Sequence, residues 1–242
     1  FSELAIGPFT ISLNNRKILR GFFEAVGIAD GEQQALVLRE IDKIDKRGAE
    51  QVAQTLKGDG FGLPHAIKEK ILGFVLTRSS THASALDLLA KLKAQYPETA
   101  EGVDELRMVL DMMKDMHVPE THYALNFSIA RGLDYYTGTV YETELVGFES
   151  WGSIASGGRY DSLASDGRIT YPGVGLSIGV TRLLAPLLAK GMLRASRPVP
   201  TAVLVAVDSE QTRGAAIEVA EQLRARGIPT EVAPRADKYG RQ

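Results

Sequence analysis

The chain has 242 residues, 44% of them hydrophobic and 24% charged, which is ordinary for a folded protein and excludes a largely disordered chain. Its 28 basic and 30 acidic residues give a net charge of −2, so a nucleic-acid partner would need a local basic patch. Cysteine is absent, which excludes disulfides and cysteine-ligated metals. The histidines lack the His-x-x-x-His spacing of a metal-binding helix, and no apolar run reaches the roughly 18 residues of a membrane span.

The first elements are a strand and a helix. Residues 9–13 alternate between apolar and polar side chains, which predicts a strand. Residues 18–26 are rich in apolar side chains and predict a helix, which Gly27 is placed to end. Because the chain opens at Phe1 just before this strand, we expect it to begin inside a domain.

A long helical segment follows. Its four helical patterns cover residues 31–56, the stretch after Pro64, residues 82–95, and a stripe of Val103, Leu106, Leu110 and Met113. We interpret residues 28–118 as a helical insertion.

From Tyr123 the apolar period changes to two, which is typical of half-buried strands. The predicted strands cover residues 123–130, 139–145, 151–156 and 173–178, and a helix is predicted over 180–190. Consecutive strands with a closing helix favour a mostly antiparallel sheet and an α+β fold.

The last part of the chain predicts a separate domain. Residues 191–200 are rich in proline and arginine and are the best linker candidate. Residues 202–207 form a continuous apolar strand, and a helix ended by Gly227 and a strand near Pro229 follow. This is the opening of a parallel α/β domain, too small to bury a core alone, so we expect the chain to be cut at this end as well.

The densest motif is RGLDYYTGTVYE at residues 131–142. Arg131 follows the predicted strand on the parity of its apolar side chains, and a buried guanidinium needs an anionic partner. That partner is either a carboxylate of the chain, such as Asp134 or Glu142, or an anionic ligand. Tyr135 and Tyr136 are either core aromatics or the polar lining of a ligand site.

Two glycine-containing motifs follow. In ASGGRYDSL, residues 155–163, paired glycines allow close approach to a planar ligand or another backbone, and Tyr160 adds an aromatic face. In GVGLSIGVTRL, residues 173–183, glycines precede a helix that carries Arg182 in its first turn. The spacing is not the G-x-G-x-x-G of dinucleotide sites. It fits either a nucleotide site or close strand–helix packing with a solvated Arg182.

In this order and spacing, the motifs resemble the histidyl-tRNA synthetase family of class II aminoacyl-tRNA synthetases. RGLDYYTGTVYE and ASGGRYDSL resemble its two histidine-specific signatures, and GVGLSIGVTRL resembles class II motif 3. FTISLNNRKIL resembles the strand and helix that follow motif 2. The helical segment 28–118 resembles the family's insertion domain, and AVLVAV onward resembles the start of its anticodon-binding domain.

The resemblance implies a domain plan for this chain. It comprises residues 1–27 and 119–190 as a partial catalytic domain, 28–118 as the insertion, 191–200 as the linker and 201–242 as a partial anticodon-binding domain. Motifs 1 and 2 would lie before Phe1, so this fragment alone is expected not to charge tRNA. The fold implied is a class II synthetase-type, mostly antiparallel α+β sheet, followed by the start of an α/β domain.

The resemblance also implies an activity and roles for individual residues. The enzyme would activate histidine with ATP and Mg²⁺ and transfer it to tRNA(His), as a cytoplasmic homodimer. Arg131 would hold the histidine carboxylate and the α-phosphate as the catalytic residue, Tyr135, Tyr136 and Tyr160 would line the histidine pocket, and Arg182, Gly175 and Gly179 would bind ATP.

Two other functions compete with this interpretation. One is the non-catalytic regulatory subunit of ATP phosphoribosyltransferase in histidine biosynthesis, and the other is a tRNA-sensing domain of a stress kinase. The intact RGLDYY and the βαβ start after residue 200 argue against the regulatory subunit, and no kinase segment is visible in the sequence. A basic cluster of Arg39, Lys43, Lys46 and Arg47 is either a contact for the tRNA acceptor arm or a solvated helix face, since acidic residues are interleaved with it.

Overall fold

The computed structural model describes residues 1–4, 6–41, 43–58, 61, 63–129, 135–197 and 199–237, without the side chains of residues 45, 46, 49 and 57. The chain divides into two compact units, Phe1–Lys190 and Gly191–Gln242. None of the helices in the described ranges has the length and apolar character needed to cross a membrane.

The first unit is a sheet with helices. Its strands are β1 (Phe9–Asn15), β2 (Arg78–Ser79), β3 (Tyr123–Asn126), β4 (Tyr136–Leu145), β5 (Ala155–Tyr160) and β6 (Gly173–Ile178). Its α-helices are α1 (Arg16–Ala25), α2 (Gly31–Ile41), α3 (Ile44–Arg47), α4 (Ala49–Lys57), α5 (His65–Val75), α6 (His82–Gln95), α7 (Ala100–Asp115) and α8 (Val180–Ala189).

The strands form one six-stranded sheet in the order β2-β3-β1-β4-β5-β6. Strands β1 and β3 are parallel, and the other neighbours are antiparallel. A parallel pair needs a long crossover, which the helical segment between β1 and β3 supplies. The expected mostly antiparallel α+β fold is therefore confirmed.

The register divides the sheet into two faces. Leu13, Tyr141, Gly157 and Leu176 are paired across β1, β4, β5 and β6 and share one face, which we call the back face. The opposite face, which we call the front face, carries the alternate residues of the same strands, including Val140, Gly158 and Gly175. The two faces therefore present different members of the same motifs.

An aromatic stack joins the helical segment to the sheet. The ring of Phe74 on α5 stacks on Phe22 of α1 at 4.1 Å and on Phe127, just after β3, at 4.8 Å. All three side chains belong to one buried core, which also receives residues of α2, α4, α6 and α7. The helices and the sheet thus share a hydrophobic core, while the division of this unit into an insertion and a catalytic domain remains a prediction.

Most predicted elements are confirmed, but the helix expected over residues 31–56 is wrong. It is divided into α2, α3 and α4. The break between α3 and α4 is at Gly48, whose φ of 83° lies in the left-handed region that side chains other than glycine rarely adopt. The helical periodicity continues across the break and therefore did not reveal it.

Three predicted strand limits also need correction. Strand β3 ends at Asn126 instead of residue 130, because the Asn126 side chain accepts a hydrogen bond from the Ser128 amide and forms a turn. Strand β4 begins at Tyr136 instead of residue 139, across an irregularity in its pairing with β5. The third strand, expected over 151–156, is Ala155–Tyr160, so its paired glycines lie within the strand instead of after it.

The second unit is a small βαβ arrangement. Strands β7 (Val203–Val205) and β8 (Thr230–Val232) are parallel, and α9 (Arg213–Ala225) connects them. Val207, Ala216 and Ala233 form its buried apolar cluster. The predicted βαβ order is confirmed.

Candidate active site

A pocket of about 630 Å³ opens at the sheet between β4, β5, β6 and the start of α8. The three sequence motifs all contribute to its walls. Its lining residues are Ile129, Tyr135, Tyr136, Val140, Tyr141, Glu142, Ser153, Ile154, Ala155, Ser156, Gly157, Ser177, Gly179 and Arg182. The fold therefore brings motifs that are tens of residues apart to one cavity.

A cluster of three tyrosines lies at one side of this pocket. The ring of Tyr135 meets that of Tyr136 edge-on at 4.6 Å and that of Tyr160 at 6.2 Å. Burial, together with a hydrogen bond with Tyr135, raises the pKa of Tyr136 to about 12. Tyr136 therefore presents a neutral hydroxyl, which both donates and accepts hydrogen bonds.

Glycines on the front face make room for two of these rings. A Cβ atom at Gly158 would lie 2.9 Å from the ring of Tyr136, and one at Gly173 would lie 2.7 Å from the ring of Tyr160. Both distances are shorter than real side chains tolerate. These two glycines therefore leave the space that the rings of Tyr136 and Tyr160 occupy.

Arg182 and the start of α8 lie at the other side. Gly179 is the N-cap of α8 and offers no side chain to its free amides, and Arg182 follows in the first turn. The Arg182 guanidinium donates a 3.3 Å hydrogen bond to the Ser153 carbonyl and is otherwise exposed. A helix N-terminus and a guanidinium together favour an anionic ligand.

Four of the predicted site residues line the pocket directly. Tyr135, Tyr136, Gly179 and Arg182 line the pocket, and Tyr160 contacts it through Tyr135. Gly175 does not line it: the ring of Tyr160 lies 3.7 Å from where its Cβ would be, and its carbonyl accepts a hydrogen bond from Tyr141. Arg131, the predicted catalytic residue, lies outside the described residues. All these roles remain predictions.

Sequence reasoning missed several polar lining residues. The sequence pattern predicts Glu142 only as an ion-pair partner of Arg131, and it predicts no role for Ser153, Ser156 and Ser177. Glu142 could have been found from strand periodicity, because it follows Val140 by two residues on the same front face. The serines carry no such signal, since serine is common on exposed strands and in loops.

The predicted basic cluster is partly neutralised. The Lys43 ammonium lies 2.5 Å from a carboxylate oxygen of Glu40, and the Arg47 guanidinium lies 3.7 Å from its other oxygen. Glu40 is buried, so these two cations hold a buried charge. Arg39 is exposed, and the side chain of Lys46 lies outside the described set. A contact of this cluster with tRNA remains a prediction.

Comparison with known proteins relates this fold to the aminoacyl-tRNA synthetases. A crystal structure of histidyl-tRNA synthetase from Nostoc sp. PCC 7120 superposes with a TM-score of 0.74 at 36% identity, covering 99% of this chain and 56% of that one. The family model for histidyl-tRNA synthetase matches residues 2–183. The chain belongs to the histidyl-tRNA synthetase family.

Curated relatives agree with this assignment. The histidine–tRNA ligases of Xanthomonas campestris pv. campestris and of Stenotrophomonas maltophilia are each 52% identical to the chain over 246 residues. Each match covers the whole of this chain. It covers 52% of the length of the first relative and 53% of the length of the second. The chain thus spans about half the length of the curated relatives it matches.

Proposed function

We propose that the chain provides part of the active site of a histidine–tRNA ligase, which activates histidine with ATP and transfers it to tRNA(His). The observation that carries this proposal is the single pocket that joins a tyrosine cluster to Arg182 and the N-terminus of α8. One end suits a small aromatic heterocycle, and the other suits phosphate.

The tyrosine cluster is the proposed histidine site. A neutral imidazole carries one donor and one acceptor nitrogen, and neutral hydroxyls can satisfy both. The raised pKa of Tyr136 keeps its hydroxyl protonated at physiological pH. Tyr135 and Tyr160 provide the adjoining aromatic surface at 6.2 Å from one another.

The α8 end is the proposed ATP site. Arg182 lies where it can neutralise polyphosphate, and Gly179 leaves the backbone at the helix start accessible. The described residues contain no group of three histidine, aspartate or glutamate side chains that could hold a metal by themselves. Mg²⁺ commonly binds through one or two carboxylates and the substrate's phosphates, and Glu142 in the pocket wall fits that mode.

The chemistry requires little more than positioning and charge neutralisation. A carboxylate oxygen of histidine attacks the α-phosphorus of ATP, a P–O bond forms, and the bond to pyrophosphate breaks. A terminal ribose hydroxyl of tRNA then attacks the acyl carbon and releases AMP. By the family resemblance, Arg131 holds the two anions together in the first step, while Arg182 draws charge toward the leaving pyrophosphate.

The remaining family properties are part of the same proposal. The active protein is a homodimer that acts in the cytoplasm, and its third substrate is tRNA(His). The identity of 52% to curated histidine–tRNA ligases over the whole chain supports these assignments.

Histidine-dependent ATP–pyrophosphate exchange tests the proposal. It is measured on the full-length gene product that carries this sequence, beside its Arg131→Ala variant. We expect exchange that depends on histidine and falls by about 10²- to 10³-fold in the variant, as for the loss of a preorganised charge. The control is Arg168→Ala, an exposed arginine outside the pocket, which should leave exchange unchanged.

A different result would redirect the assignment. If the wild-type protein shows no exchange but binds histidine in calorimetry, the proposal fails in favour of the regulatory-subunit function. Gel filtration of the same protein tests the homodimer.

A further inference from the structure

Tyr141 makes a contact that the site roles above leave unused. It lies on the back face of β4, and its hydroxyl donates a 2.8 Å hydrogen bond to the carbonyl of Gly175 on β6. Strand β5 lies between these two strands. The tyrosine side chain therefore reaches across a whole strand and joins β4 directly to β6.

Gly157 of β5 is what allows this contact. A Cβ atom at Gly157 would lie 2.6 Å from the Tyr141 hydroxyl and 2.1 Å from the Gly175 carbonyl oxygen. No side chain fits at either distance. Gly157 therefore leaves room on the back face for the Tyr141 side chain. Gly158 leaves room on the front face for the ring of Tyr136.

Strand β6 carries part of the pocket wall. Within the described part of the sheet it is an edge strand, paired with β5 alone. The Tyr141 hydrogen bond adds to this pairing a second connection, from the β6 backbone to β4.

The position of β6 determines the phosphate end of the pocket. Ser177 on β6 and Gly179 directly after it line the cavity, and α8 with Arg182 begins at the next residue. A shift of β6 relative to β4 changes the distance between Arg182 and the tyrosine cluster. Displacements of about 1 Å cost large factors in enzymatic rate.

We propose that Tyr141 is a positioning residue, whose hydrogen bond to Gly175 fixes β6 and α8 in register with the tyrosine cluster for nucleotide binding. This inference rests on the proposed function, since it concerns the ATP end of that site. Tyr141 touches no reacting atom and acts through β6.

Tyr141→Phe tests the inference, with Tyr123→Phe as a matched control. Tyr123 is also a back-face tyrosine, but its hydroxyl is buried and has no hydrogen-bond partner among the described residues. The two variants make the same chemical change, and only the first removes a hydrogen bond. Both are made in the full-length gene product and assayed by ATP–pyrophosphate exchange and amide hydrogen exchange.

We expect Tyr141→Phe to raise the KM for ATP about fivefold, the factor that corresponds to one neutral hydrogen bond, with an unchanged KM for histidine. Amide exchange of residues 173–179 should accelerate in the same variant. Tyr123→Phe should change none of these quantities.

Three results overturn the inference. Equal KM values for ATP in wild type and Tyr141→Phe show that the bond has no role in nucleotide binding. Equal increases in the KM for ATP and for histidine show a general loss of structure. Unchanged amide exchange in β6 shows that the bond does not hold the strand. Failure of the proposed function is distinct, because the wild-type protein itself then lacks exchange activity.

Discussion

The hydroxyl of Thr137 donates a 2.6 Å hydrogen bond to the carboxylate of Asp161 and so joins the motif RGLDYYTGTVYE to the motif ASGGRYDSL. The other carboxylate oxygen accepts from the Arg159 guanidinium at 3.0 Å. The Thr137 hydrogen bond, followed by that of Arg159, lowers the pKa of Asp161. The contact lies directly beside the pairing of Tyr136 with Tyr160 and holds the tyrosine end of the pocket together.

Thr137→Val removes this contact, and we expect it to lower the free energy of unfolding by about 1 kcal/mol at pH 7. A carboxyl whose pKa is lowered in the folded state contributes stability above its unfolded pKa of about 3.9 and loses that contribution as the pH falls through the folded value. The difference from wild type should therefore shrink as the pH falls below about 4. Urea unfolding of both proteins at several pH values measures this difference in the free energy of unfolding.

Thr77→Val is the control, because the Thr77 hydroxyl donates to the neutral carbonyl of Gly73. Its effect should not vary with pH over this range. A Thr137→Val effect that does not shrink as the pH falls below about 4 would contradict the assigned ionisation of Asp161.

Gly157→Ala should destabilise the protein by about 1–3 kcal/mol, because its methyl group would collide with the Gly175 carbonyl and the Tyr141 hydroxyl. Gly73→Ala, at an exposed position in the last turn of α5, is the comparison, since a Cβ there meets nothing within 4 Å. It should stabilise by about 0.5–1 kcal/mol. Thermal or urea unfolding of both variants gives the sign, and stabilisation by Gly157→Ala would be inconsistent with the described back face.

Arg182→Ala should reduce kcat/KM for ATP in the exchange assay by about 10²-fold, because it removes the cation that we propose binds polyphosphate. The side chain is exposed and its hydrogen bond to Ser153 is long, so the unfolding free energy should change by less than about 0.5 kcal/mol. Exchange kinetics and urea unfolding of the same preparation separate the two effects. Wild-type exchange kinetics in this variant would show that Arg182 does not bind ATP.

Phe74→Ala should lower the free energy of unfolding by about 3–5 kcal/mol, since it deletes the middle ring of the stack with Phe22 and Phe127. This ring joins α5 to the sheet, so the helices and the sheet of the wild-type protein should unfold together. Circular dichroism, which follows the helices, and fluorescence of Trp151, the single tryptophan of the chain, should therefore report the same unfolding transition. Leu76→Ala, at a side chain that is 44% exposed, should change stability far less. Two separate wild-type transitions would indicate that the helical segment has its own stable core.

The amino-acid sequence by itself determined much of the local structure. The period-two pattern of residues 173–178 and the helical patterns of residues 82–95 and 180–190 predicted β6, α6 and α8 almost to the residue. The order of the motifs identified the family that the comparisons confirm. Periodicity and short motifs are properties of neighbouring residues, and a single sequence displays them directly.

Only the tertiary structure decided how the motifs meet. The sequence placed Gly157 and Gly158 after a strand, whereas the structure places them within β5, where they admit Tyr141 on one face and Tyr136 on the other. The same is true of the bond between Thr137 and Asp161. These contacts depend on the register between strands, and register is set by the packing of both faces of the sheet, which no single stretch of sequence contains.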